Sequence, residues 1–288
     1  MTDTLNPPLE IQHDRIDPVV LEAIQKVAEM ARKHETAYFL AGAPLPGKSC
    51  FATFWLATGR RTLDVDLGIA VGDWDHFQLL KSALIEQGGF QPHARMVERL
   101  LYPSKPSVVV DLIPFGGIET GERTNCWPPD EDIVMRVTGF GDALESAVLV
   151  GLDENLVIPV SLPILLVLKL FARVDGRHEK RGAPDIYTLL RQYGDAGNED
   201  RLYGEEMSLL EAEGYDFELA GARLIARDAA HAVSDDTRKP LREILKSDSL
   251  MEELTNQVIV SSERSDSEHV RKCEALVAKM RHEFLHEE

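Results

Sequence analysis

A chain of 288 residues is long enough for one large domain or two of ordinary size. Hydrophobic residues make up 44%, so a buried core is expected, and 31 Lys+Arg against 49 Asp+Glu give a net charge of −18. That balance excludes the broad cationic footprint that duplex DNA requires, although a local basic cluster can still grip a nucleotide or an RNA end. Cys50, Cys126 and Cys273 are an odd number without CxxC spacing, which reads as free thiols and offers no zinc site. The polar start, Met1 to Asp14, lacks the basic flank and apolar run of a signal peptide. The apolar run Ile164 to Leu168 is broken by Lys169 and is too short for a bilayer. A cytoplasmic protein with no membrane partner is the expectation.

In chain order, Asp17-Pro18 reads as an N-cap followed by proline at the first helical position. Val20, Ile24, Val27 and Met30 recur at helical spacing, predicting a helix to about Glu35. Tyr38 to Ala41 reads as a buried strand stopped by Gly42, and Phe51 to Ala57 as a helix. Thr62 to Val71 is a strand carrying Asp64 and Asp66, and Trp74 to Gln87 an amphipathic helix closed by Gly88-Gly89. Met96 to Tyr102 and Ser107 to Ile113 are two more strands around a proline-containing turn. A loop follows from Phe115 to Pro129, then a strand over Ile133 to Val137. Ala147 to Val160 reads as a hairpin turning near Asp153 to Asn155.

After Ser161 the pattern becomes helical: Leu162 to Val174, Asp185 to Tyr193, Leu202 to Glu213, Phe217 to Ala230, Lys239 to Lys246 and Glu268 to Leu285. The acidic helical tail from about Leu241 reads first as a solvated helical face. The expected class is therefore α+β: a mixed sheet with flanking helices over 1–160, then an all-helical lobe over 161–288.

Asp64 and Asp66 stand two apart on a strand, so their side chains leave the same face. Side-by-side carboxylates on an apolar strand are electrostatically costly, and a divalent cation offsets that cost. Asp111, closing the apolar run Val108 to Val110, adds a third acid. Three carboxylates on neighbouring strands suit metal-assisted phosphoryl transfer with Mg2+ or Mn2+. The bland alternative is a strand that ends in solvated acids. The catalytic reading requires the side chain at 111 to lie near those at 64 and 66, with none of them taken up by an arginine.

Gly42 could let backbone amides approach a phosphate, or be an ordinary turn glycine. Gly42 to Ser49, GAPLPGKS, also fits the GxxxxGKS phosphate-loop pattern. A P-loop NTPase, with Lys48 on the phosphates and Ser49 on magnesium, is thus a rival reading, but it gives the Asp64/Asp66 pair no role. Lys169 on an apolar helix must either reach water or meet an anion, and a triphosphate contact is one form of the second. Arg173, Arg177, His178, Lys180 and Arg181 form a basic stretch in an acidic chain, either a solvated loop or a guide for a nucleotide or RNA end. Asp185 sits at a helix start, where acids are common.

Four ordered blocks, GRRTLDVDLGIAV (Gly59 to Val71), VDLIPFGGI (Val110 to Ile118), SLPILLVLKLFA (Ser161 to Ala172) and APDIYTLLRQY (Ala183 to Tyr193), resemble bacterial nucleotidyltransferases of the polymerase-β-like superfamily. Within it they resemble relatives of the AbiEii-type toxins. The resemblance implies a nucleotidyltransferase sheet followed by a helical lobe, with Asp64, Asp66 and Asp111 as metal ligands and catalytic acids. It also implies Lys169 as a triphosphate contact and Asp185 as a second-lobe catalytic acid. Gly42 matches the first glycine of the family's phosphate loop, after which Ala43-Pro44-Leu45-Pro46 departs from it. Ala43, Lys48, Ser49 and Arg60 complete the nucleotide-binding candidates. The implied activity is transfer of a nucleoside monophosphate from an NTP such as ATP to a hydroxyl, with release of pyrophosphate. A tRNA or other RNA 3′ end is the implied acceptor and an antitoxin protein the implied partner of a toxin–antitoxin pair. A catalytically inactive nucleotide-binding member is the further alternative.

Overall fold

The structure is a computed structural model that describes residues 9–10, 17–41, 63–128, 134–153, 156–174, 182–261 and 266–286. Chain contacts divide these into two units, one ending at Ser161 and one beginning at Leu162. The class is α+β, a mixed sheet with flanking helices followed by a helical part.

In the first unit the elements are β1 (Leu9–Glu10), α1 (Pro18–Lys33), β2 (Tyr38–Leu40), β3 (Asp64–Val71), α2 (Trp74–Glu86), β4 (Gln91–Pro92) and β5 (Arg99–Tyr102). They continue with β6 (Val108–Gly116), β7 (Thr124–Cys126), β8 (Val134–Arg136), α3 (Phe140–Glu145), β9 (Val148–Asp153) and β10 (Leu156–Val160). Asp17 caps α1, its carboxylate accepting the Val19 N–H at 3.0 Å. The helix stops at Lys33, short of the expected Glu35, which turns the chain at φ 52°. β5 begins three residues later than expected because the Arg99 N–H closes a turn onto the Met96 carbonyl.

The main sheet has the order β2-β3-β6-β5-β4. β3 and β6 are parallel, and the other neighbours are antiparallel. Alternation along the strands sorts their residues onto two faces. Val65, Leu67, Ile69, Leu100, Val108, Val110 and Leu112 are buried on one of them. Tyr102, on that same face, donates to Glu22 of α1 at 2.7 Å, so α1 covers it, and α2 packs on both α1 and β3. The opposite face carries the acids at one end and a phenylalanine cluster at the other.

That cluster depends on one glycine. Gly68 pairs with Phe39, whose ring makes edge contacts with Phe115 and Phe140 at 5.7 and 5.5 Å. A Cβ at 68 would stand 2.2 Å from the Phe39 ring, which is only 1% exposed and has no room to withdraw. Gly68→Ala is therefore expected to lower unfolding free energy by about 1–3 kcal/mol through overpacking. Urea denaturation checks this, and a change below about 0.5 kcal/mol would mean that the ring moves freely.

The second unit is built on α4 (Leu162–Val174), α5 (Ala183–Gln192), α6 (Glu199–Leu202), α7 (Met207–Ala212), α8 (Phe217–Ala232), α9 (Asp235–Lys246), α10 (Asp248–Ser261) and α11 (Ser267–His286). α8 is central and packs against α4, α5, α7 and α11. Its buried Ala220, Gly221, Ala222, Ala226, Ala229 and Ala230 let those neighbours approach closely. Arg223 and Arg227 leave α8 to meet the buried Glu283 of α11, at 2.7 and 2.6 Å. No helix among the described residues is long and apolar enough to cross a membrane.

Candidate active site

The parallel register sets Asp66 of β3 beside Asp111 of β6, and the antiparallel register sets Arg99 of β5 on the other side of Asp111. Asp66, Asp111 and Arg99 thus form one row across three strands, on one face of the sheet. Asp64 lies two residues back along β3 on that face, exposed at the strand's start, while Asp66 and Asp111 are half-buried. The expected convergence of the two strands' acids is therefore present in the register.

The state of Asp111 differs from the expectation. Arg99 grips it with a two-bond fork, Nε to Oδ1 at 2.7 Å and Nη2 to Oδ2 at 2.7 Å. The expectation of three carboxylates sharing bound cations is corrected: Arg99 engages both oxygens of Asp111, the arginine condition is broken at this residue, and the three-acid account fails as it was stated. Among the described residues no group of three or more His, Cys, Asp or Glu side chains is arranged to hold a metal ion. The physical reason lies in the row itself. Like charges directly opposite on neighbouring strands repel, and the guanidinium offsets that repulsion from the far side.

Arg99 is also held more firmly protonated than a free arginine. The Asp111 hydrogen bond is the largest cause, opposed by partial burial and reinforced by the charges of Asp111, Asp64 and Glu98. The pair is 27% exposed at Arg99 and 15% at Asp111, so water reaches the fork. The cation that the acids of this face draw in is the guanidinium of Arg99.

Lys169 of α4 and Asp185 at the start of α5 belong to the second unit and find each other there, Nζ to Oδ2 at 2.7 Å. The anion that Lys169 meets is thus Asp185, and two separately nominated residues form one ion pair. Gly42, Ala43, Lys48, Ser49 and Arg60 lie outside the described residues, as do the Phe51 to Ala57 segment and Arg177, His178, Lys180 and Arg181. The topology nevertheless bears on the P-loop alternative. The strand leading into GAPLPGKS is β2, an edge strand of the described sheet that runs antiparallel to β3. A P-loop strand belongs instead to a parallel sheet of βα units.

Arg99 is the site residue that sequence reasoning missed. Its signal was the hairpin arithmetic: Tyr102 pairs with Val108, so counting back three places on one strand and forward three on the other reaches Arg99 and Asp111. Opposite charges at such positions attract across the strands.

No family model and no curated protein sequence matches this chain. Among solved structures, a Thermotoga maritima CCA-adding enzyme complexed with tRNA aligns over 94% of this chain and 82% of its own, at 11% identity and a TM-score of 0.24. A CCA-adding enzyme in complex with ATP aligns over 93% of this chain and 71% of its own, at 14% identity and a TM-score of 0.24. Likeness at that level assigns no activity, and the chemistry has to be read from the carboxylate row.

Proposed function

We propose that this protein is a nucleotidyltransferase that moves a nucleoside monophosphate from an NTP to a hydroxyl acceptor. The observation that carries the reading is the in-register pairing of Asp66 with Asp111, with Asp64 on the same face. Arg99 offsets the charge of one acid of the row, and a cationic ligand at Asp64 and Asp66 would offset more of it.

Asp64 and Asp66 would hold the divalent ion, Mg2+ or Mn2+. When bound, such an ion offsets the negative charge of the triphosphate and of the departing pyrophosphate. Asp111, once released from Arg99, would accept the proton of the acceptor hydroxyl. The acceptor oxygen then bonds to the α-phosphorus as the bond to the β-phosphate oxygen breaks, and pyrophosphate leaves with that electron pair. Lys169 is proposed as a triphosphate contact, with Asp185 as the acid that neutralises it between turnovers and the second-lobe acid of catalysis. Gly42, Ala43, Lys48, Ser49 and Arg60 are proposed for the nucleotide. An RNA 3′ end as acceptor and an antitoxin as partner rest on the resemblance of the four sequence blocks to toxin relatives, by analogy.

The test is incubation with each α-labelled NTP, magnesium and total RNA or cell lysate. Label is expected on some acceptor, with pyrophosphate released in step. Labelling that is indifferent to Asp66 would remove the acid row from the chemistry. Calorimetric NTP binding with no pyrophosphate release across all four NTPs would instead mark a nucleotide-binding protein without turnover. Phosphate release from ATP that is lost in Lys48→Ala but kept in Asp64→Asn would favour the P-loop alternative.

A further inference from the structure

We propose that the helical unit carries a docking surface for an arginine-bearing segment of a partner protein, built on Tyr203 and Tyr215. The proposal goes beyond the nucleotidyltransferase reading and does not depend on it. Neither tyrosine belongs to the acid row or to the residues proposed for the nucleotide.

Tyr215 is 63% exposed and stands at φ 68°, directly after Gly214 at φ 60°. The left-handed region suits glycine or asparagine, and a bulky side chain held there is an outlier that costs stability. Its N–H closes α7 onto the Leu210 carbonyl at 2.8 Å, a bond that glycine would make as well. The backbone thus forms the turn while the ring is left in water. Ion pairs fix the turn on both sides. Glu213 accepts from Arg223 at 3.1 Å and from Lys279 at 2.8 Å, and Asp216 accepts from Lys272 at 2.5 Å. A ring presented on a backbone already held in place loses little further freedom when a partner covers it.

Tyr203, just past α6, is 58% exposed, and its ring stacks on Phe217 with centroids 6.0 Å apart and an interplanar angle of 23°. Phe217 is two residues beyond Tyr215, no more than about 7.6 Å away along the chain, so the three aromatic residues are neighbours. Exposed tyrosines grouped in this way are typical anchors of protein interfaces.

Charge selects the occupant. Residues 195–218 hold nine acids and a single basic residue, Arg201, which Asp228 forks with two bonds of 2.8 Å. Glu199, Asp200, Glu205 and Glu211 are exposed. A phosphate backbone is repelled from such a surface, and a cationic segment is drawn to it. Arginine suits it better than lysine, because a planar guanidinium can stack on a tyrosine face and bond a carboxylate at once. The unit already holds one of its own arginines in this manner. Arg191 lies 5.3 Å over the ring of Tyr187 and donates through Nε and Nη2 to Glu218 at 3.1 and 2.6 Å. Tyr203 and Tyr215 offer the same combination of ring and carboxylate to the outside.

The experiment is fluorescence anisotropy of a dye-labelled nona-arginine peptide with the full chain at about 0.15 M salt. The unaltered protein is compared with Tyr203→Ala, Tyr215→Gly and the double variant, and nona-lysine and nona-uridylate serve as comparison probes. Each substitution is expected to weaken nona-arginine binding about threefold to fivefold, and the two together about tenfold. Nona-lysine should bind more weakly and respond little to either change. Neither substitution alters the net charge of −18, so such a loss is not one of bulk attraction. Tyr215→Gly should also hold or raise the melting temperature, because glycine accepts the left-handed backbone. That variant carries the test if Tyr203→Ala, which loses a ring stack, fails to fold by circular dichroism. Unchanged nona-arginine affinity in the folded variants would overturn the proposal, as would tighter binding of nona-uridylate. Self-association of the unaltered protein in sedimentation that disappears in Tyr215→Gly would overturn it too, since the occupant would then be a second copy.

Discussion

Asp66→Asn is expected to lower nucleotidyl transfer by roughly 10²–10³-fold, the range seen when one charge-stabilising group is removed from a catalytic centre. The substitution keeps the side chain's size and one acceptor oxygen while removing a negative charge. On stability the same change should be neutral or mildly favourable, because Asp66 stands directly opposite Asp111 and like charges so placed repel. The two readouts separate the alternatives. An acid kept for catalysis costs the fold something, and its removal raises the melting temperature while activity collapses. An acid kept for structure would show the reverse: lost melting temperature, with rate following only as folded protein is lost. Thermal denaturation and pyrophosphate release on the same preparation decide between them. A variant that retains full rate would exclude Asp66 from the mechanism.

The second large effect lies in the helical unit. Glu283 is 4% exposed at its side chain and accepts from Arg223 Nε at 2.7 Å and from Arg227 Nε and Nη2 at 3.0 and 2.6 Å. Arg223 and Arg227 are four apart on α8, so without Glu283 two cations would face each other on adjacent turns. Glu213 and Glu206 take up other nitrogens of the pair, at 3.1 and 2.7 Å, but neither lies between the two guanidiniums as Glu283 does. Breaking a buried ion network by deleting one partner costs about 3–5 kcal/mol, since the remaining charges stay desolvated. Glu283→Ala is expected to lose that amount in urea denaturation, with Glu283→Gln losing less. The surface pair of Lys246 and Glu243, 57% and 74% exposed, supplies the control. Glu243→Ala should change stability by no more than about 0.5 kcal/mol. Equal losses at 283 and 243 would mean that the network carries no weight.

Much of the fold was legible in the sequence because its longer elements announce their own ends. Asp17-Pro18 marks the start of α1, and the apolar run from Leu162 gives α4 with the same limits in sequence and structure. The hairpin expected over Ala147 to Val160 appears as the antiparallel pairing of β9 with β10. The failures have physical causes. β7 and α3 are too short for a period to show, and they fall within or beside a segment rich in glycine and proline. One helix was expected over Leu202 to Glu213. The structure has two short ones, α6 and α7, and Gly204 sits in the turn between them. α9 starts at Asp235 rather than Lys239 and carries Pro240 inside it, so proline marked no boundary there. At the site, spacing alone put Asp64 and Asp66 on one face, and the apolar run before Asp111 brought that acid to the neighbouring strand. The arginine on the far side needed strand pairing, which is a property of three segments together and of none alone. The pairing of Lys169 with Asp185 likewise joins two helices whose periods say nothing about each other.

The connection between β5 and β6 carries a consequence for which length changes the chain can accept. Residues 103–107 join two antiparallel strands whose partners are matched by counting outward from the turn. Exposed connections ordinarily tolerate insertion and deletion, but side chains on a strand alternate with period two. Should one extra residue here slide β5 by one place against β6, Val110 or Leu112 would come to face Arg99, and Asp111 would face Glu98 or Leu100 in place of the guanidinium. Variation in length across this turn is therefore confined to changes that leave the parity of the pairing intact, although no residue of the turn itself takes part in the chemistry.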